Sequence, residues 1–149
     1  MDDLVQFMRD RLDVEEQIAR ECTSGPWRNA PTARHHATAS GRTEEAVFGS
    51  PRDEGATIVA ATGESGNRRN LANAEHIARH HPARVLAEVE AKRRICTDYE
   101  DAARTLAAAE PGTPPHDLMT GATNMLKRAL QLLALPHADH PDYREEWRP

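Results

Sequence analysis

"AEHIARHHPARVLAEVEAKRRI", residues 74–95, decides how this chain folds, because it carries two apolar stripes separated by one proline. Leu71, Ala74, Ile77, Ala78 and His81 recur at the spacing of one helix face. Pro82 then pushes residue 81 toward extended backbone and cannot continue a helix, yet it suits the first position of a new one. Beyond it Val85, Leu86, Val89, Ile95, Cys96, Tyr99, Ala103 and Leu106 keep an approximate 3.6-residue period as far as "LAAAEPG". The reading is a short helix, a corner at Pro82 and a long helix.

Upstream, Asp2 and Asp3 place negative charge at the start of an amphipathic stretch that presents Leu4, Phe7, Met8, Leu12, Ile18, Ala19 and Cys22. "TSGPW", residues 23–27, ends it: Gly25 can terminate a helix, Pro26 cannot extend one, and Trp27 is large enough to fold back over it. Residues 28–51 have no helical period. Within them "EEAVFGS", residues 44–50, reads as a short strand, and "GATIVAAT", residues 55–62, as a clearer one, with "PRDEG" between them as a hairpin turn. Downstream, "EPGTPPHD" is a connector from which Asp117 or Thr120 would cap a fourth helix bearing Leu118, Ala122, Leu126, Ala129, Leu130 and Leu133. Pro136 closes it. The tail "HADHPDYREEWRP" is too polar and proline-broken for a regular element, but Tyr143 and Trp147 would anchor it to the helices.

The expected architecture is therefore α+β and mostly helical: about four helices, with a small antiparallel hairpin or three-strand sheet between helix one and helix two. A chain of 149 residues is the size of one domain, so residues 1–149 are read as a single domain with residues 136–149 as an ordered tail. Aromatic residues make up only 4 % of it, which leaves Leu, Val, Ile, Ala and Met to build the core. The formal charge of -5, with Lys and Arg dispersed among acids, gives no electrostatic footprint for a nucleic-acid backbone. "EAKRR", residues 90–94, reads as an exposed helix face with local ion pairs. Cys22 and Cys96 are too few for a disulfide framework or a zinc knuckle. An acidic start and the lack of any apolar run near the roughly 18 residues of a membrane span lead us to expect a cytoplasmic protein with no membrane partner.

Four blocks carry a resemblance: "MDDLVQFMRDRLDVEEQIAR", "TSGPW", "AEHIARHHPARVLAEVEAKRRI" and "LLALPHADHPDYREEWRP". In their order and content the chain resembles the small actinobacterial and actinophage proteins catalogued as domain of unknown function 6221. It departs from that pattern at Ser24, His81 and His137, where proline, aspartate and an aromatic residue are usual, and residues 97–117 carry no part of the likeness. The GPW corner followed by "HIARxxP" and "VLAEV" also resembles early-region accessory proteins of temperate phages. The resemblance implies no activity. What it implies is an accessory protein of phage or mobile-element type, acting on a protein partner, host or self. Separately, the long third helix with its alanine-rich end could provide a homodimer seam, although its "LAAA" stretch offers little area per residue.

Two other chemistries are legible. His76 and His80, four apart, leave one helix face as a pair of zinc ligands must, which would suit a metal-dependent hydrolase. The sequence supplies no HExxH glutamate and no CxxC, and the remaining donors, His35, His36, His137, Asp139 and His140, are scattered, so solvent-facing histidines are the preferred reading and no cofactor is expected. Gly63, Gly66, Asn67, Arg68, Arg69 and Asn70, between strand and helix, could direct backbone N–H groups and two cations at a nucleotide-like anion. The spacing is neither a P-loop nor GxGxxG, and a glycine-rich turn is the alternative. In "HADHPDY" a structural clamp is preferred over a catalytic dyad, the two prolines fixing the bends. Gly25, Pro26, Trp27, Pro82, Tyr143 and Trp147 are read as structural anchors.

Overall fold

A computed structural model of the chain describes residues 2–29, 36–37, 43–49 and 57–149. In chain order the elements are α1 (Asp2–Glu21), β1 (Arg28–Asn29), β2 (His36–Ala37), β3 (Thr43–Phe48), β4 (Ile58–Glu64), α2 (Arg68–Arg79), α3 (Pro82–Ala108) and α4 (Pro114–Ala134), followed by 3-10 turns at Leu135–His137 and Glu145–Trp147. This is the expected α+β order of four helices with a small antiparallel sheet between the first two. The proline corner is real. α2 stops at Arg79, His80 caps it at φ -98° and ψ 39° with its N–H on the Ile77 carbonyl, and α3 begins on Pro82. The His81 carbonyl accepts from the N–H groups of Arg84 and Val85, so the new helix starts on residues that Pro82 cannot deprive of a donor.

The sheet is three strands wide. β3 is central: β4 pairs antiparallel along one edge, from Phe48 opposite Ile58 to Glu44 opposite Glu64. β1 and β2 pair with opposite ends of β3, at Val47 and Phe48 and at Thr43 and Glu44, and so form one interrupted strand along its other edge. β4 begins later than the sequence suggests, at Ile58, and runs on through Gly63, because the ladder with β3 extends to Glu64. The "PRDEG" turn lies outside the described residues, as does His35.

The described residues gather into two compact units, Met1–Val14 with Glu88–Pro149, and Glu15–Ala87. In the first, Leu4, Val5, Phe7 and Met8 of α1, Cys96 and Tyr99 of α3, Leu130 and Ala134 of α4, and Trp147 of the tail share one buried cluster. Burial of such side chains contributes about 1.5–3 kcal/mol each and is what holds three amphipathic helices together. In the second, α2 packs on β1, β3 and β4, with Ala74 of α2 and Ala46 and Val47 of β3 buried.

Three expectations need correction. α4 is capped neither by Asp117 nor by Thr120 but starts at Pro114, with Thr113 before it, because two prolines can occupy first-turn positions whose N–H groups would be unpaired anyway. The tail is not wholly irregular, since two 3-10 turns bracket it. Of the residues assigned to apolar stripes, Ile18, Leu71 and Leu118 are exposed; in the fourth helix Leu126, Leu130 and Leu133 join the core as expected, with Ala134 added.

Candidate functional site

The histidine corner is assembled by the end of α2. His76 and His80 stack with ring centroids 4.4 Å apart, and Nδ1 of His80 lies 2.8 Å from the His76 carbonyl oxygen, so one of its nitrogens is committed to the helix terminus. Both side chains are exposed. Among the described residues no group of three or more His, Cys, Asp or Glu side chains could hold a metal ion. His137 and His140 serve another purpose: both rings meet Phe7 edge-on, at 6.2 and 5.7 Å, and Nη1 of Arg11 approaches Nε2 of His140 at 2.5 Å. That arrangement fastens the tail to α1, helped by Trp147 against Phe7 at 5.1 Å and by Arg144 bonded to Asp3 at 2.6 Å.

Arg68, Arg69 and Asn70 belong to the first turn of α2, not to a loop before it. Asn67 caps this helix, its side-chain oxygen accepting the Arg69 N–H at 2.9 Å, which takes up one donor an anion would need. Gly63 and Gly66 have positive φ, 115° and 86°. A Cβ on Gly63 would stand 2.7 Å from Nδ2 of Asn70, the same amide nitrogen that donates to the Glu64 carbonyl at 3.0 Å. Thr62 closes the turn by donating to the Asn70 carbonyl at 2.8 Å, and Ser65 donates to Glu45 at 3.2 Å. Asn67, Arg68, Arg69 and Ala72 line an open concavity of about 660 Å³. The glycines are thus accounted for by turn geometry and close approach, with carbonyl and carboxylate oxygens taking the side-chain donors of Thr62, Ser65 and Asn70.

The GPW corner and the proline corner meet. Gly25 lies against His81 and Pro82, and the Trp27 indole donates to the Thr23 carbonyl at 2.8 Å. Around this junction Trp27, Asn29, Glu75, Ala78, Arg79, His81 and Arg84 line an open concavity of about 530 Å³. Sequence reading treated Trp27, Gly25 and Pro82 as separate anchors, and no local spacing joins residues so far apart in the chain.

One family model, described as a family of unknown function (DUF6221), matches residues 1–149. The chain belongs to that family. The DUF6221 match runs through residues 97–117 as well as through the four blocks that carried the resemblance. No curated protein and no solved structure matches the chain. In this DUF6221 chain no helix among the described residues is long and apolar enough to cross a membrane.

A third feature is a face of α4. Leu118, Met125 and Leu132 are 71 %, 72 % and 49 % exposed and follow one another at intervals of seven, which sets them in one row on the helix. Gly121, beside this row on the same side of the helix, has open space where a Cβ would be. The row was missed because Leu118 was grouped with the 122, 126 and 130 positions; the spacing of seven was the available signal.

Proposed function

We propose that this chain is a cytoplasmic interaction protein, an accessory factor of phage or mobile-element type, whose working surface is the exposed row on α4 and whose fitting occupant is α4 of a second copy. The observation that carries the reading is the row itself. Three large apolar side chains in line on an otherwise soluble helix mark an interaction surface more than a solvated one. The row is symmetric about Met125: an antiparallel copy sets Leu118 against Leu132 of its partner and Met125 against Met125, as a two-fold axis requires. Gly121, Ala122 and Ala129 beside it let two helix backbones approach closely.

Its size fixes the strength. From Leu118 to Leu132 the row runs about 21 Å along the helix. Burying three side chains from each copy contributes about 1–2 kcal/mol apiece, comparable with the association cost of about 4–15 kcal/mol. The pairing is therefore weak and concentration-dependent, smaller than the roughly 1,600 Å² of a stable standard interface.

Sedimentation velocity across a concentration series tests this. The wild-type chain is expected to shift from monomer toward dimer as concentration rises, and Met125→Asp to stay monomeric with unchanged helicity and thermal midpoint, because the side chain is exposed. A chain that is monomeric at every concentration, or a Met125→Asp variant that associates as well as wild type, would overturn the proposal.

A further inference from the structure

Trp27, Asn29, Glu75, Arg79, His81 and Arg84 border one concavity, open to solvent, of about 530 Å³, a volume within the roughly 300–1,000 Å³ of small-ligand sites. Its walls have distinct chemistry. Trp27 supplies an aromatic face held in place by the bond from its indole N–H to the Thr23 carbonyl. Arg79 and Arg84 bring two guanidinium groups and Glu75 one carboxylate, 4.0 Å from Arg79, so the lining is net positive on a chain whose formal charge is -5.

Oδ1 of Asn29 and Nδ1 of His81 are closed to water and have no hydrogen-bond partner among the described residues. Unpaired buried polar atoms are rare in folded proteins, and two on side chains that border one cavity call for an explanation. Nδ1 of His81 lies against Gly25, and because the terminal torsions of Asn and His are broad and two-fold, a flip of either group exchanges which of its polar atoms faces a molecule seated in the concavity.

From these features we infer that the cavity binds a free mononucleotide, its base stacked on Trp27, the base edge hydrogen-bonded by Asn29 and His81, and its phosphate held by Arg79 and Arg84. Each part of that ligand answers one wall. Aromatic stacking accepts any base, guanidinium groups match phosphate oxygens, and Asn and His supply both donors and acceptors to a base edge. A free nucleotide fits better than a strand, because a net negative chain with dispersed cations would repel a polyanion.

Two-dimensional amide NMR provides the test, since Trp27 and Trp147 give the only two indole N–H signals and Trp147→Phe assigns them. The four nucleoside 5′-monophosphates are titrated separately, beside adenosine and inorganic phosphate. At least one monophosphate is expected to shift the Trp27 indole signal saturably, with adenosine and phosphate each at least about tenfold weaker. Arg79→Ala combined with Arg84→Ala, both exposed positions, is expected to weaken that nucleotide by about tenfold or more while the rest of the spectrum is unchanged. No saturable shift with any of the four, or binding undiminished in the double variant, would overturn the inference. Tighter binding of a short single-stranded oligonucleotide would overturn the assignment to a free nucleotide.

Discussion

Gly25 lies so close to His81 that a Cβ at residue 25 would stand 3.2 Å from Nδ1 and 3.5 Å from Cβ of His81, with Cδ of Pro82 also at 3.5 Å. This contact joins the corner that ends α1 to the corner that begins α3. Gly25→Ala is expected to lower stability by about 1 kcal/mol, the scale of mild overpacking. In a His81→Ala background most of that loss should vanish. Chemical denaturation of the four proteins in this double-mutant cycle measures the coupling, and equal losses in both backgrounds would refute the contact.

Gly49 is tighter still. A Cβ there would meet Cγ2 of Thr23 at 2.5 Å and the Ser24 carbonyl oxygen at 3.3 Å. Gly49→Ala is expected to cost about 2 kcal/mol, and Thr23→Ser, which removes Cγ2, to recover part of it in the double variant. Thermal midpoints of the single and double variants decide the matter.

The tail contributes to the core of its unit. Trp147 is buried against Phe7, and Trp147→Ala is expected to cost about 3–5 kcal/mol in urea denaturation. Tyr143 gives the opposite expectation. Its hydroxyl is buried and unpaired among the described residues, so Tyr143→Phe should leave stability unchanged or raise it.

Burial pushes the Cys96 thiol up, an effect stronger than the lowering by Arg9. In the folded chain the proton is held more tightly than in the unfolded chain, which ionises near about pH 8.5. Stability from this group is therefore fully present below that pH and is lost as pH rises toward the folded value. Wild type should lose its advantage over Cys96→Ala as pH is raised from about 8 to 10, measured by thermal midpoints. Under native conditions Cys22, the less buried thiol, should react with an alkylating reagent well before Cys96.

The corner at Pro82 was legible because proline acts locally, on the conformation of one residue and on one missing donor. The strands of the sheet were legible from short apolar runs between turn residues, although their ends moved once pairing with β3 set the register. Helix α4 was legible in its apolar period but not at its start, where Pro114 and Pro115 read as a connector although the first turn of a helix accepts them. The exposure of Leu118 depends on how its neighbours pack, which no period within α4 reveals. The approach of Gly25 and Trp27 to His81 joins segments more than fifty residues apart, and that distance in sequence hid the cavity.

Cysteine cross-linking at the α4 row tests the central proposal most directly, in a Cys22→Ser background. If two copies pair antiparallel about Met125, then Met125→Cys oxidises readily to a covalent dimer. Leu118→Cys alone should not, but a mixture of Leu118→Cys and Leu132→Cys chains should give the mixed dimer. Self-cross-linking at 118 as readily as at 125, or none at any of these positions, would contradict the account.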